Sequence, residues 1–212
     1  EAFQHIYDNG GVLSGTSAGT AILSPIVFTA EVASVDPGQA LLNAYSGQIT
    51  LADDFLDTRS ERFIYDTHFA ERGRFGRLPA FLATWYKENG EVTIGIGVDD
   101  HTALCMDPGG IATVYGQGAV SFIFSRQPDD PYDTGSEMLV SGPMEIYQLL
   151  NGCSVDLEDW TITGLQNEVV PPVSEENRRN TILFTGTDYP SDTVFQYFVN
   201  QTGFTSDVIT VI

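Results

Sequence analysis

A short apolar run, Gly11-Val12-Leu13-Ser14, breaks at Gly15-Thr16-Ser17-Ala18-Gly19 and continues into the helix-compatible Thr20-Ala21-Ile22-Leu23. The Gly-x-Ser-x-Gly spacing constrains the chain strongly. It reads as a strand, a tight turn and a helix, with a serine held exposed at the turn and small neighbours that let the backbone bend. Gly15 and Gly19 supply the space, Ser17 is a candidate nucleophile, and the Ala18 amide at the helix start is a candidate donor to an oxyanion. The other reading is that the same five positions form an ordinary glycine-rich turn.

Composition narrows the classes of function. The chain has 212 residues, 42% hydrophobic and 11% aromatic, enough for one good core of a soluble globular domain. Nine basic residues face 29 acidic ones, a net charge of −20, and Lys87 is the single lysine. Phosphate recognition needs a basic surface, so nucleic acid is not an expected partner. No window is apolar over the length of a membrane span, so no membrane partner is expected. The acidity favours solubility and is compatible with a secreted or periplasmic setting, but the compartment is not readable. Cys105 and Cys153 lack CxxC spacing, so no metal site is read and a single bridge stays open.

Along the chain, the first ten residues read as a helix ending at Gly10, and Ser24 to Asn43 as a loop-rich stretch with a turn at Asp36-Pro37-Gly38. Arg62 to Tyr65 reads as a strand leading into Asp66-Thr67-His68-Phe69. Gly76 to Glu88 has helical spacing, with Leu78, Phe81, Leu82 and Trp85 on one side. Glu91 to Val98 reads as a glycine-interrupted strand, followed by short antiparallel strands at 102–106, 111–115 and 119–124. The segment 128–133 reads as a surface loop. The domain expected over 1–166 is followed by a linker at 167–180, and 181–212 reads as a strand, helix and strand.

Of three histidines, only His68 sits at a strand end among polar residues, where it could serve as a base for a nucleophile. A lone histidine is more often structural. Five of the nine basic residues, Arg59, Arg62, Arg72, Arg74 and Arg77, fall within nineteen positions. Guanidinium groups bind carboxylates bidentately, so this cluster reads either as an anion site or as internal pairs holding the histidine loop. Arg77 fits the internal role, and Arg72 and Arg74 divide evenly between the two.

Three motifs in order, Gly15-Thr16-Ser17-Ala18-Gly19, then Asp66-Thr67-His68-Phe69 with Glu71-Arg72-Gly73-Arg74-Phe75-Gly76-Arg77-Leu78, then Gly95-Ile96-Gly97-Val98-Asp99-Asp100-His101-Thr102-Ala103-Leu104, resemble the cyanophycinase branch of the S51 serine peptidases, relatives of peptidase E. The resemblance covers roughly the first 125 residues. It implies an α/β fold with a three-layer flavodoxin-like or Rossmann-like sheet and helices on both faces, incomplete or permuted in this chain. It also implies hydrolysis of aspartyl peptides, such as the β-aspartyl-arginine units of cyanophycin, through an acyl-enzyme and without a cofactor or metal.

Residue by residue, the resemblance makes Ser17 the nucleophile and His68 the base. Asp100 stands where the family usually has a glutamate, with Asp99 as the alternative. Asp66, Thr67, Arg72 and Arg74 become substrate-binding candidates, and a homodimer is a family tendency. The glycine-rich loop that normally precedes the elbow and helps form the oxyanion hole is not found before Glu1. The segment 181–212 resembles the opening of that portion, as a tandem copy or by circular permutation. A non-catalytic binding or structural module that keeps the elbow is the alternative function, and a glutamine-amidotransferase-like fold with serine for cysteine is a weaker third.

Overall fold

The computed structural model describes residues 2–53, 55–57 and 63–164. In chain order these form α1 (Ala2–Asp8), α2 (Ala18–Ala21), β1 (Val27–Phe28), α3 (Pro37–Leu42), β2 (Leu51–Ala52), β3 (Phe63–Thr67), a 3-10 turn at Arg74–Gly76, and α4 (Leu78–Asn89). Then follow β4 (Ile94–Val98), β5 (Thr102–Met106), β6 (Ile111–Gly116), β7 (Val120–Ser125), β8 (Met144–Leu149), β9 (Ser154–Asp156) and β10 (Ile162–Thr163). The linker read at 167–180 and the strand, helix and strand read at 181–212 lie outside the described residues, as do Arg59 and Arg62.

The architecture is α/β and rich in strands. A mixed sheet has the order β3-β4-β7-β8, and an antiparallel sheet the order β10-β9-β6-β5. In the mixed sheet β3 and β4 are parallel, from Phe63 opposite Ile94 to Thr67 opposite Val98, whereas β4 to β7 and β7 to β8 are antiparallel. A parallel pair needs a crossover, and α4 supplies it. Leu78, Phe81, Leu82 and Trp85 are buried along one stripe of α4, Pro79 occupies its first turn, and Gly90 closes it in the left-handed conformation at φ 69°.

Side-chain alternation explains how the mixed sheet is covered. Phe63 and Tyr65 of β3, Ile96 and Val98 of β4, and Val120 and Phe122 of β7 join Val114 of β6 and Val155 of β9 in one core. The opposite face, with Ile64 and Ile123, packs against Leu78, Phe81 and Leu82 of α4 and Ala40 of α3. Strand β4 places its glycines toward this helical layer. A Cβ on Gly95 would lie 2.8 Å from Leu78 Cγ, and one on Gly97 would lie 2.4 Å from the Phe69 ring. The two glycines therefore form sockets for the side chains on which the helix and the histidine loop rest.

Several expectations change. Among the described residues, α3 and α4 cover one face of the mixed sheet and the antiparallel sheet packs on the other, so the expected helices on both faces are present on one. The Asp36-Pro37-Gly38 turn begins a helix instead. Asp36 Oδ1 accepts the Gln39 N–H at 2.8 Å, Gln39 Oε1 accepts the Asp36 N–H at 3.3 Å, and Pro37 fits the first turn. The run ahead of the elbow, Gly11 to Thr16, forms no ladder among the described residues, and Val12 is 92% exposed. A strand needs a partner for its backbone groups, and along the described chain the first such pairing comes only at Ile26, in a parallel bridge to Ile64. Strands β8 to β10 were not anticipated, although Met144-Glu145-Ile146-Tyr147-Gln148-Leu149 has strand-like composition. Cys105 is exposed and Cys153 buried, and both are free thiols.

The packing at β4 makes a direct prediction. Gly97→Ala forces the Phe69 ring to move, and overpacking of this kind costs about 1–3 kcal/mol. Urea denaturation of wild type and variant measures it, and an unchanged midpoint would show that the Phe69 socket can relax.

Candidate active site

Ser17 precedes α2 with φ 54° and ψ −122°, a conformation rarely taken by a residue with a side chain. Such strain costs of order 1–3 kcal/mol and persists where the surroundings over-determine it. Here the surroundings are explicit. Thr20 Oγ1 donates to the Gly15 carbonyl at 2.7 Å, the Gly19 N–H donates to Thr16 O at 2.8 Å, and the Ala21 N–H to Ser17 O at 3.2 Å. A Cβ at Gly15 would lie 2.1 Å from Gly19 O, so that position admits glycine alone. Gly19 differs from the expectation, because among the described residues nothing lies within 4 Å of a Cβ placed there. Ala18 is the first residue of α2, and its N–H therefore has no intrahelical acceptor.

The two parallel strands deliver the partners of Ser17. His68 follows the last residue of β3, and Asp100 lies in the turn just past β4, so both project from the carboxyl ends of neighbouring parallel strands, where α/β sheets commonly form sites. Ser17 Oγ lies 2.8 Å from His68 Nε2. His68 Nδ1 is hydrogen-bonded to Asp100 Oδ1. With the Nδ1 proton directed at the carboxylate, the Nε2 lone pair is left to accept from the serine hydroxyl. His68 itself has φ 49°, so strained backbone recurs at a second member of the constellation.

Asp99 and Asp100 take separate tasks. Asp100 faces the imidazole, whereas Asp99 Oδ1 accepts the Ala70 N–H at 3.0 Å and Oδ2 accepts the Ala119 N–H at 2.9 Å. Burial pushes the Asp99 carboxyl above its usual range, the two backbone bonds pull it back, and the nearby charges of Glu71 and Asp100 add to the rise.

The acid and arginines next to His68 form an internal brace. Asp66 is 3% exposed, and its oxygens accept from Arg77 Nε at 2.7 Å, Arg77 Nη2 at 2.6 Å, Arg74 Nη1 at 2.9 Å and the neighbouring Thr67 N–H at 2.9 Å. Arg74 also donates to Thr67 O, and Arg77 to Val35 O at 3.1 Å. The Arg77 guanidinium carbon lies 5.6 Å from the Phe28 ring centre and 5.3 Å from that of Phe81. Burial pulls the Arg74 pKa down and the Asp66 charge opposes this. Asp66 and Arg74, expected at the substrate, are thus turned inward, and Thr67 is buried beside them. Arg77 takes the internal role that its position suggested. Arg72 is exposed, and among the described residues no hydrogen bond or ion pair occupies its guanidinium.

Two supports were not singled out in the sequence. Glu71 Oε1 accepts the Asp100 N–H at 3.1 Å, and Gly97 seats Phe69, the residue after His68. Glu71 carries no sequence signal beyond standing three residues past His68. Gly97 carries one, since alternating glycines in a buried strand mark close packing. Among the described residues no group of three or more His, Cys, Asp and Glu side chains could hold a metal ion, and no helix is long and apolar enough to cross a membrane.

A serine, a histidine and an aspartate in hydrogen-bonded series define the arrangement found in serine hydrolases, recognised by geometry rather than by position in a chain. Comparison with known proteins finds distant relatives named cyanophycinase. The chain is 26% identical over 144 residues to cyanophycinases of Synechococcus elongatus and of Thermosynechococcus vestitus, a match covering 68% of this chain and 40% of each relative. It is 24% identical over 153 residues to a cyanophycinase of Trichormus variabilis, covering 71% of this chain and 47% of that protein. The match therefore spans less than half the length of these relatives, and no family model matches the chain. The relationship is distant and cyanophycinase-like.

Two predictions follow from the geometry. Gly15→Ala should lower the unfolding free energy through its clash with Gly19 O, whereas Gly19→Ala should leave it unchanged or raise it by up to about 1 kcal/mol through helix propensity; equal losses in urea denaturation would mean that the serine turn needs both glycines. Asp66→Ala strands two buried guanidinium groups and should cost about 3–5 kcal/mol. A loss below about 1 kcal/mol in the same titration would show that water reaches the brace.

Proposed function

We propose that this chain provides the nucleophile, base and acid of a serine-type hydrolase that cleaves aspartyl peptide bonds through an acyl-enzyme. The observation that carries the reading is the 2.8 Å approach of Ser17 Oγ to His68 Nε2, with Asp100 on the far nitrogen. In this mechanism Ser17 Oγ attacks the substrate carbonyl carbon while His68 Nε2 takes the hydroxyl proton. Asp100 holds the tautomer and stabilises the imidazolium, and the Ala18 N–H donates to the developing oxyanion. His68 then gives its proton to the leaving amine as the carbon–nitrogen bond breaks. Water, deprotonated by His68, attacks the ester and frees Ser17. No metal or cofactor takes part in this sequence.

The substrate class follows from the similarity to cyanophycinases and from the resemblance of the motifs. It is an aspartyl peptide, with β-aspartyl-arginine units as the first candidate. Among the described arginines of the cluster, Arg72 is the guanidinium left for a substrate carboxylate, since Arg74 and Arg77 are engaged with Asp66. Asp66, Arg74 and Thr67 then act at one remove, by holding His68. The same reading includes a flavodoxin-like three-layer fold, which the parallel β3-α4-β4 unit supports, and a homodimer. It also takes 1–166 as the catalytic portion, with 181–212 as a tandem or permuted unit.

The test is hydrolysis of cyanophycin and of β-aspartyl-arginine peptides by the full-length protein, with labelling by a serine-reactive phosphonate alongside. Ser17→Ala and His68→Ala should each lower kcat by roughly a thousandfold or more, and Asp100→Asn by roughly a hundredfold or more. Tight binding of β-aspartyl-arginine without turnover or labelling would instead favour a binding module that retains the elbow.

A further inference from the structure

His68 and Asp100 sit on two different loops, 68–73 after β3 and 99–101 after β4, and their contact depends on how those loops are held together. The Phe69 N–H donates to Val98 O at 3.2 Å, which joins the loops at their roots. Beyond that point the backbones no longer pair directly. The Ala70 N–H donates to Asp99 Oδ1 at 3.0 Å, and the Asp100 N–H donates to Glu71 Oε1 at 3.1 Å. Each loop therefore lends one carboxylate to one backbone N–H of the other. Asp99 is fixed in turn from a third side, where its Oδ2 accepts the Ala119 N–H at 2.9 Å and its own N–H donates to Ala119 O at 3.1 Å. A Cβ on Gly118 would lie 2.6 Å from Asp99 Cβ, so the Gly118 backbone packs directly against the Asp99 side chain.

We infer that Glu71 and Asp99 are positioning residues, a reciprocal clasp that sets the separation of the His68 imidazole from the Asp100 carboxylate. The inference rests on the serine-hydrolase reading and deepens it. The clasp acts through hydrogen bonds rather than through net charge. Three carboxylates, Glu71, Asp99 and Asp100, crowd this corner, and the charges of Glu71 and Asp100 act against that of Asp99, a cost that the directed bonds to N–H groups help to offset. Burial lifts the Asp99 carboxyl above its usual range, and its two acceptor bonds from the Ala119 and Ala70 N–H groups pull it back. Glu71 is exposed and makes no contribution to the core, so its replacement tests the clasp without removing packing.

The experiment compares Glu71→Gln, which keeps the acceptor oxygen and removes the charge, with Glu71→Ala, which removes both, in the full chain. Asp99→Asn, which keeps one of two acceptors, is the second variant. Three readouts are taken: kcat and KM on a β-aspartyl-arginine peptide, the melting temperature, and the downfield proton resonance of His68 Nδ1–H, assigned by its loss in His68→Gln. The expected result is a kcat loss on the order of ten- to a hundredfold in Glu71→Ala, since small misplacement of a reacting group has effects of this size. KM and melting temperature should stay near wild type, the Nδ1–H resonance should move, and Glu71→Gln should restore most of the activity and the resonance. Asp99→Asn should show a loss of the same kind. Wild-type kcat in Glu71→Ala, equal losses in Glu71→Ala and Glu71→Gln, or a change confined to KM would overturn the clasp. Absence of Ser17-dependent turnover in the wild-type protein would count against the hydrolase reading alone. The clasp would then be judged on the resonance, supported by a shift in Glu71→Ala restored in Glu71→Gln and overturned by none.

Discussion

The buried carboxylate of Asp66 is the interaction on which the site's geometry depends. A charge at 3% exposure would be expensive by itself, and it is retained because two guanidinium groups and a backbone N–H satisfy its oxygens. The two arginines come from the turn and helix start that follow the histidine loop, so the same bonds that neutralise Asp66 also fold residues 68–77 back against the end of β3. Arg74 adds a bond to Thr67 O, immediately before His68, and Arg77 reaches Val35 O near the start of α3. An alternative without charge would pack as well but would lack the directed forks that fix a loop in one conformation.

Around this brace the strained residues become intelligible. His68 at φ 49° and Ser17 at φ 54° each lie in backbone regions that a side chain disfavours. Both are held by neighbours with little freedom: Phe69 pressed into the socket at Gly97 on one side, the Gly15 carbonyl tied to Thr20 on the other. Strain at two facing positions, each secured by separate packing, leaves the hydroxyl and imidazole little reorganisation to undergo before they interact.

The sequence was most legible where local chemistry and tertiary demand coincide. Alternation and helical spacing marked β3, α4, β4, β5, β6 and β7, and the Gly-x-Ser-x-Gly and His-Phe motifs pointed to the residues that the structure brings together. It was less legible where a residue type suits two roles. Asp66 and Arg74 have the chemistry of an anion site, and only burial reveals that they are spent on each other. Asp36-Pro37-Gly38 has turn composition, yet the reciprocal Asp36 and Gln39 bonds make it a helix start. The two glycines of the serine turn look equivalent in sequence and are not, since only the Gly15 Cβ position is filled by the turn's own backbone. Helices on both faces follow from a resemblance, whereas the cover by β5, β6, β9 and β10 depends on the long-range pairing of β6 with β9, which no local pattern encodes.

The aspartate at position 100 brings these constraints together. It stands where the resembling family usually carries a glutamate, and a side chain one methylene shorter loses about 1.5 Å of reach. The bond to His68 Nδ1 is nevertheless made, so the backbone of the turn must carry the carboxylate to the ring. The bonds that could draw it there are specific. Glu71 holds the Asp100 N–H, Asp99 anchors the turn to Ala70 and Ala119, and Thr102 Oγ1 donates to Asp100 O at 3.0 Å while accepting the Gly118 N–H at 2.9 Å. A short acid on a firmly placed turn and a long acid on a looser one can meet the same imidazole. The shorter solution leaves fewer rotatable bonds in the acid and transfers the demand for accuracy from its side chain to the backbone that presents it.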